Sequence, residues 1–267
     1  MTVFQAIVLG VVQGLAEFLP ISSSAHLALT PYFLGWKDPG LAFDVALHVG
    51  TLLALAWYFR SDWVALTKSA WEIVRTRRIE SFNERRVLYL VVATVPGAIA
   101  GLLVNDLAET VFRAPQLIAC TLIVMGILLW FADRSSSKRR PEESITVRDA
   151  ALIGCAQMFA LIPGVSRSGS TITAGRALGL DRIAAARFSF LMSMPITSAA
   201  AILKTPEAIG AQGLSLPLVV GILSAAFSSW LAITVLLKFV SRNSFGVFAV
   251  YRVLLGLVVL GSLYIWN

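Results

Sequence analysis

The stretch Gln13-Gly14-Leu15-Ala16-Glu17-Phe18-Leu19-Pro20-Ile21-Ser22-Ser23-Ser24-Ala25-His26 decides how this chain is read. An apolar run from Val3 leads into it and another continues through Leu34, so a carboxylate, a proline and consecutive serines interrupt otherwise hydrophobic sequence. A straight helix through Pro20 and the serines is disfavoured, because proline removes an amide donor and serine favours turns. Irregular backbone at membrane depth is tolerated only where protein or a water-filled cavity satisfies it, so the stretch predicts a re-entrant helix-turn-helix with polar residues at its tip. Gln13 and Glu17 are four residues apart and share one helix face. A carboxylate left in lipid costs about 2.5–3.5 kcal/mol even on lenient scales, so Glu17 is expected to face a polar interior.

The remainder of the chain supplies the setting. Of 267 residues, 57% are hydrophobic and 14% charged, more apolar surface than a soluble domain of this size can bury. Long unbroken apolar runs without alternating strand patterns select helices over a barrel, and the fold class expected is an all-α polytopic membrane protein. The net charge of +7 would suit nucleic acid, but Lys and Arg fall in short segments between apolar runs, where membrane topology places them, and no nucleic-acid partner is expected. Cys120 and Cys155 lie in apolar stretches without metal-ligand spacing and read as small hydrophobes. The first segment lacks the basic flank of a signal peptide and is expected to belong to the fold.

Six apolar runs, at positions 41–59, 87–104, 116–132, 183–203, 216–237 and 246–266, are long enough to cross a core of ~30 Å at 1.5 Å per residue. Basic residues cluster at Arg60, Lys68, Arg75, Arg77, Arg78, Arg85 and Arg86, and again at Arg134, Lys138, Arg139, Arg140 and Arg148. These connections, with a third at Lys238 and Arg242, are expected on the cytoplasmic side; those near Lys37, from Asp106 to Arg113 and near Glu207 are expected outside. Positions 62–78 mix Val64, Leu66, Trp71, Ile73 and Val74 with charges, a pattern shared by a surface amphipathic helix and a plain basic loop. The polar stretch 134–146 reads as a cytoplasmic linker between halves 1–133 and 147–267, each a re-entrant segment followed by three spans.

The two halves look related. Gly10, Gln13, Pro20 and Ser22 are matched by Gly154, Gln157, Pro163 and Ser166, with a one-residue shift around the proline. Three spans per half force the second copy to enter from the opposite face, which makes an inverted repeat with two opposed tips. The second tip carries Pro163-Gly164-Val165-Ser166-Arg167-Ser168-Gly169-Ser170-Thr171. An arginine in a Gly/Ser-rich turn at a helix start offers a planar fork of donors among amides and hydroxyls, a combination suited to phosphate oxygens. Tips meeting near the midplane would bring Glu17, the serines and His26 to Arg167. Arg167 would bind phosphate and offset developing charge, a serine hydroxyl would attack, and His26 or Glu17 would carry protons. Each part alone is unspecific; their joint occurrence in apolar sequence carries the inference.

These same residues, Gln13-x3-Glu17-Phe18-Leu19-Pro20-Ile21-Ser22-Ser23 with His26, and Pro163 through Thr171, closely resemble the two signature regions of the bacterial undecaprenyl-diphosphate phosphatases linked to bacitracin resistance. The resemblance extends over essentially the whole chain in length, order and apolar layout. It implies an integral membrane phosphatase that converts undecaprenyl diphosphate to undecaprenyl phosphate and inorganic phosphate, recycling the lipid carrier of peptidoglycan synthesis. It also implies a re-entrant inverted-repeat fold in the bacterial cytoplasmic (inner) membrane, with its site open to the periplasmic or outer side. By position it implies catalytic roles for Glu17, Ser23 as nucleophile, His26 and Arg167, and a phosphate-binding role for Ser22, Ser166, Arg167, Ser168 and Thr171. Gln13 stands where the family has Glu or Gln and takes a supporting role, leaving Glu17 as the one carboxylate of the pair. Ala25 replaces a glycine frequent before the histidine. A dependence on a divalent cation, Mg or Ca, is carried by the resemblance alone; Glu17 and substrate phosphate oxygens are its candidate ligands, and nothing resembles a full protein metal cage.

The sequence leaves open whether Ser23 forms a phosphoseryl intermediate or positions a water, and it is compatible with a homodimer. His48 within the first span reads as a hydrogen-bonded structural residue, with Asp44 one turn earlier as its partner. Arg176, Arg182 and Arg187 read as cytoplasmic anchors, and Pro96-Gly97 and Pro195 as kinks or close helix contacts. The main rival reading is a transporter or flippase of a phosphorylated polyprenyl lipid, which shares the opposed-repeat architecture and needs no nucleophile. An intramembrane serine protease is less well supported, since Arg167 among hydroxyls suits phosphate better than a peptide carbonyl and no GxSxG surrounds Ser166.

Overall fold

The computed structural model describes residues 1–103, 114–136 and 139–266. In chain order the helices are α1 (Val3–Phe18), α2 (Ser23–Leu34), α3 (Leu41–Tyr58), α4 (Arg60–Thr76), α5 (Phe82–Leu103), α6 (Pro115–Ser135), α7 (Val147–Met158), α8 (Arg167–Ala177), α9 (Arg182–Gln212), α10 (Leu216–Val240) and α11 (Gly246–Trp266). Single 3-10 turns occupy Glu142–Ser144 and Phe159–Leu161. No strand occurs among the described residues, and the fold is all-α.

Six helices are long and apolar enough to cross a membrane: α3, α5, α6, α9 over Arg182–Leu203, α10, and α11 over Gly246–Ile265. They coincide with the six runs read from the sequence. One connection is displaced. The helix expected to end at 203 continues through Pro206 to Gln212, and Gly213, at φ 66, stops it, so the turn expected near Glu207 lies beyond that residue. Positive φ is reached at little cost by glycine, which makes it an effective helix terminator. The outward connection expected from Asp106 to Arg113, and linker positions 137 and 138, lie outside the described residues. The stretch with two readings at 62–78 is helical as α4, with Val64, Trp71 and Val74 exposed.

The other short helices share features of capping and packing. Thr2 accepts the Gln5 amide at 3.2 Å while Gln5 accepts the Thr2 amide at 2.9 Å. Thr146 and Asp149 repeat this reciprocal cap at 3.2 and 2.9 Å, which satisfies amides that a helix start leaves without partners. Helices α1, α2, α7 and α8 have 16, 12, 12 and 11 residues, and at 1.5 Å per residue each falls short of a ~30 Å hydrocarbon core. Helix α1 packs on α10, and α7 on α5, so these two short helices pack reciprocally across the sequence. The matched glycines are the contact points: a Cβ on Gly10 would strike the Gly221 carbonyl, and one on Gly154 would lie 2.6 Å from the Ala93 carbonyl. Gly97, flagged beside Pro96, is a close contact of the same kind, with Gln157 Nε2 2.7 Å from where its Cβ would be.

Charge is buried in paired clusters at the ends of the spans. Asp133 of α6, buried, accepts from Arg176 of α8 at 2.8 Å, from Arg182 of α9 at 2.9 Å and from the Phe245 amide at 3.0 Å. Arg176 also donates to the Leu180 carbonyl. Arg187 reaches Asp62 at 2.9 Å and Glu142 at 3.1 Å, and Arg86 meets the same two carboxylates. The three arginines read as anchors are therefore fixed in ion pairs, with Arg176 buried and Arg182 and Arg187 partly exposed. The linker is held too. Arg140 donates to Asp149 at 2.7 Å and pairs its backbone with Gly179 and Asp181, which turns a polar connection into a seam along the bundle end.

Candidate active site

The two tips are built on the same local device. Ser22 and Ser166 both adopt positive φ, 78° and 72°, a region rarely taken by residues with a Cβ. Each hydroxyl caps the helix that follows: Ser22 accepts the Ala25 amide at 3.4 Å and Ser166 the Gly169 amide at 3.0 Å. The cap position puts the next residue, Ser23 in one tip and Arg167 in the other, at the first position of its helix. The tips are bonded to each other. Ser22 also accepts the Gly164 amide at 3.2 Å, and the Ser168 hydroxyl donates to the Leu19 carbonyl at 3.2 Å.

One residue holds both turns, and the sequence reading missed it. Arg252, fully buried in α11, donates through Nη1 to the Pro20 carbonyl at 3.0 Å. Through Nη2 it donates to the Gly164 and Val165 carbonyls at 2.7 and 2.9 Å. Broken helices expose carbonyls that lipid cannot satisfy, and a forked cation with several donors in one plane satisfies three of them at once. A lone arginine inside a 21-residue apolar helix was the available signal.

Glu17, 7% exposed, is the centre of the arrangement. Its Oε1 accepts from Arg167 Nη2 at 2.7 Å. Its Oε2 accepts from the Ser23 hydroxyl at 2.6 Å and from Gln13 Nε2 at 3.2 Å. His48 Nε2 stands 3.4 Å from Oε2, and the other ring nitrogen, Nδ1, donates to the Asp44 carbonyl at 3.0 Å. The expected link between Asp44 and His48 thus runs through the backbone. Arg167 Nη1 is fixed by the Ser189 carbonyl at 3.0 Å. These groups border a cavity of about 200 Å³ that includes Glu17, Ser23, Ser24, His48, Gln157, Ser166, Arg167 and Thr197 in its wall.

The structure thus brings Glu17, Ser23 and Arg167 together with Gln13 behind Glu17, and adds Gln157, the repeat counterpart of Gln13, His48, which the sequence suggested as structural, and Thr197, which gave no local cue. It separates the others. His26 is outside the cavity wall: its Nδ1 donates to the Ser22 carbonyl at 2.7 Å, its Nε2 accepts from the Tyr251 hydroxyl at 2.7 Å, and its ring stacks on Tyr251. Both nitrogens are engaged away from Glu17. The hydroxyls expected around phosphate also divide. Ser166 borders the cavity, whereas Ser22 and Ser168 are committed to the tip contacts and Thr171 bonds to the Arg167 carbonyl at 2.8 Å and to Ser189 Oγ at 2.7 Å. Thr171 therefore stands behind Arg167.

For a metal, the donor set is thin. Both Glu17 oxygens are engaged, and among the described residues no group of three or more His, Cys, Asp or Glu is placed to hold an ion. Among the described residues the buried Gln13 and Gln157 side-chain carbonyl oxygens have no hydrogen-bond partner, but two amide oxygens and one carboxylate do not make a cage of the six to eight ligands that calcium takes or the octahedron that magnesium takes.

Residues 6–258 match the model of the family described as bacitracin resistance protein BacA. A protein of Gemmatimonas aurantiaca named undecaprenyl-diphosphatase is 68% identical over 263 residues, covering 98% of each chain. Proteins of the same name from Moorella thermoacetica and Pelotomaculum thermopropionicum are 51% and 50% identical, each covering 97% of this chain and 97% and 96% of their own. With agreement over nearly the whole length, the chain belongs to the bacitracin resistance protein BacA family.

Proposed function

We propose that this chain is an integral membrane phosphatase that hydrolyses undecaprenyl diphosphate to undecaprenyl phosphate and inorganic phosphate, returning the lipid carrier to peptidoglycan synthesis. The observation that carries the reading is the contact of Ser23, Glu17 and Arg167 at one cavity: a hydroxyl 2.6 Å from a carboxylate whose other oxygen is held by an arginine. A hydroxyl is a weak nucleophile until a base draws its proton, and a phosphoryl group is a poor target until a cation offsets its charge.

The terminal phosphate enters the cavity and competes with Glu17 for the Arg167 fork, which suits tetrahedral oxyanions as well as carboxylates. Glu17, relieved of that partner, takes the Ser23 proton on Oε2. Ser23 Oγ then bonds to the terminal phosphorus as the bond to the bridging oxygen breaks, and undecaprenyl phosphate leaves with the bridging oxygen. Glu17 returns its first proton to Ser23 Oγ as water attacks the phosphoserine and the Oγ–phosphorus bond breaks; the freed carboxylate takes the water proton, hydrogen phosphate leaves, and Glu17 releases that proton to solvent. Gln13 holds Oε2 toward Ser23, and Ser166 keeps Arg167 at the start of its helix. Ser22, Ser168 and Thr171 serve the phosphate through the turns rather than by contact. A divalent cation would be carried mainly by diphosphate oxygens, with Glu17 as the protein carboxylate beside it, and no step above depends on it.

The halves 1–133 and 147–267 are read as an inverted repeat joined by 134–146, with α1–α2 and α7–α8 as its opposed re-entrant pairs; the repeated caps and reciprocal packing support this. The basic connections support a cytoplasmic-membrane placement with the cavity facing outward. One copy supplies every group used, so a homodimer, which the sequence allows, is not required by the chemistry.

The test is phosphate release from undecaprenyl diphosphate by purified protein, with Glu17→Ala, Ser23→Ala and Arg167→Ala beside the unaltered chain, with and without chelator. Turnover lost in all three folded variants, with radiolabelled phosphate trapped on the unaltered protein and not on Ser23→Ala, is the expected result. Lipid binding without phosphate release by the unaltered chain would overturn the reading and favour transport.

A further inference from the structure

We infer that His48 is a positioning residue for Glu17, donating from Nε2 to Oε2 so that the carboxylate keeps facing Ser23 after Arg167 has turned to the phosphate; this rests on the phosphatase reading above. The geometry begins with the imidazole's other edge. A backbone carbonyl can only accept, so Nδ1, 3.0 Å from the Asp44 carbonyl, carries a proton. That bond is made to the preceding turn of the same helix and fixes the ring plane, as the outer partner of a functional histidine does. Nε2 then lies 3.4 Å from Glu17 Oε2, within ion-pair reach between α3 and α1. Were Nε2 bare, two lone-pair-bearing atoms would face each other in a buried site; a proton there, beside the one on Nδ1, makes the ring an imidazolium and the contact a charged donation, second to that of Arg167.

The need for such a donor follows from what Arg167 must do. In the resting arrangement Arg167 is the cationic partner of Glu17 at 2.7 Å. When the fork engages the diphosphate, Glu17 loses that partner while remaining buried and next to a second anion. A buried carboxylate stripped of its partner is strongly destabilised, and a carboxylate free to rotate would turn away from the incoming negative charge. Gln13 supplies one neutral donor from the same helix. His48 supplies the donor from a different span, and Gly50 two residues on makes that span's approach possible: a Cβ there would strike the Ile222 carbonyl of α10, the helix that also carries α1. Helices α1 and α3 are thus seated on one support, which fixes the distance between Glu17 and His48.

The test compares two amides of different reach, so that polarity and folding are matched. His48→Gln places its amide nitrogen about as far from Cβ as the imidazole Nε2, and His48→Asn falls short of Glu17. Kinetics of phosphate release are measured for both beside the unaltered chain. The expected result is kcat for His48→Gln within about 5-fold of the unaltered value and kcat for His48→Asn reduced by about 30-fold or more, with KM changed by less than about 2-fold in both. Equal loss in the two variants, or no loss in His48→Asn, overturns the inference while leaving the phosphatase reading intact. Absence of phosphate release from the unaltered chain overturns both.

Discussion

The Ser22 hydroxyl accepts the Gly164 amide at 3.2 Å, so the cap of one tip is bonded to the turn of the other. The same oxygen caps α2, and the residue sits at φ 78. Ser22→Ala removes the acceptor and keeps the backbone cost of a Cβ at positive φ; Ser22→Gly removes the acceptor and relieves that cost. Thermal unfolding in detergent should show Ser22→Ala destabilised by about 1–3 kcal/mol, and Ser22→Gly by less. Equal effects would mean the backbone conformation stores no strain.

Arg252→Met tests the clamp. Three carbonyls at the two turns lose their donor, each at about 1–3 kcal/mol when left unsatisfied. The variant should unfold at a much lower temperature, and phosphate release per folded molecule should fall because both tips loosen. Arg252→Lys, with a point donor in place of a fork, should fall between the two.

Glu17→Gln separates two consequences of one ion pair. Loss of the base should lower kcat by about 10²–10⁴. Loss of the negative charge beside Arg167 should at the same time tighten inhibition by inorganic phosphate several-fold, since the anion no longer competes with Glu17 for the fork. Weaker phosphate inhibition in Glu17→Gln would show that Arg167 is not the shared partner.

The contact between the halves is testable at a glycine. A Cβ at Gly154 would lie 2.6 and 2.8 Å from the Ala93 backbone, which cannot step aside. Gly154→Ala should cost about 1–3 kcal/mol or more in thermal unfolding. At Gly101 an added Cβ meets nothing within 4 Å, and Gly101→Ala should be neutral or stabilising by up to about 1 kcal/mol.

A pH dependence is expected at the mouth of the second half, outside the spans. Burial pushes the Asp149 carboxyl up, and bonds from Arg140 and Thr146 reverse this and hold it below the usual carboxylate range. A group with a lowered folded-state pKa stabilises the fold above its unfolded value and loses that contribution as pH falls through the folded one. Asp149→Asn should therefore melt lower than the unaltered chain at pH 7, with the gap closing as acid protonates Asp149. A gap independent of pH would show that the charge is not what Asp149 contributes.

Much of this architecture was legible beforehand, for identifiable reasons. Apolar runs report spans because the bilayer imposes one length on them, and Pro20 and Pro163 with their serines report turns because they act within a few residues. The Glu17, Ser23 and Arg167 grouping was legible because polar groups in lipid must find one another. His48 and Arg252 were not, since their partners lie on other helices: His48 meets Glu17 on α1, and Arg252 meets Pro20 and Gly164 on opposite tips. His26 was drawn into the site by its nearness to Ser23 along the chain, but the start of α2 carries its ring toward Tyr251. Thr171 was read as a phosphate ligand from the family resemblance, and its hydroxyl bonds to the Arg167 carbonyl one turn back.

Ser23 and Arg167 occupy the same station, one step after a serine cap, in two turns of like build. A pair of identical turns would offer two attacking hydroxyls with nothing to hold the anion, or two anion holders with nothing to attack. Because each cap spends the hydroxyl of the preceding serine, the following position can vary without disturbing the turn. On the proposed mechanism, these two unlike turns carry opposite parts of one reaction, and a chain cut between positions 134 and 146 should regain activity only when both pieces are supplied together.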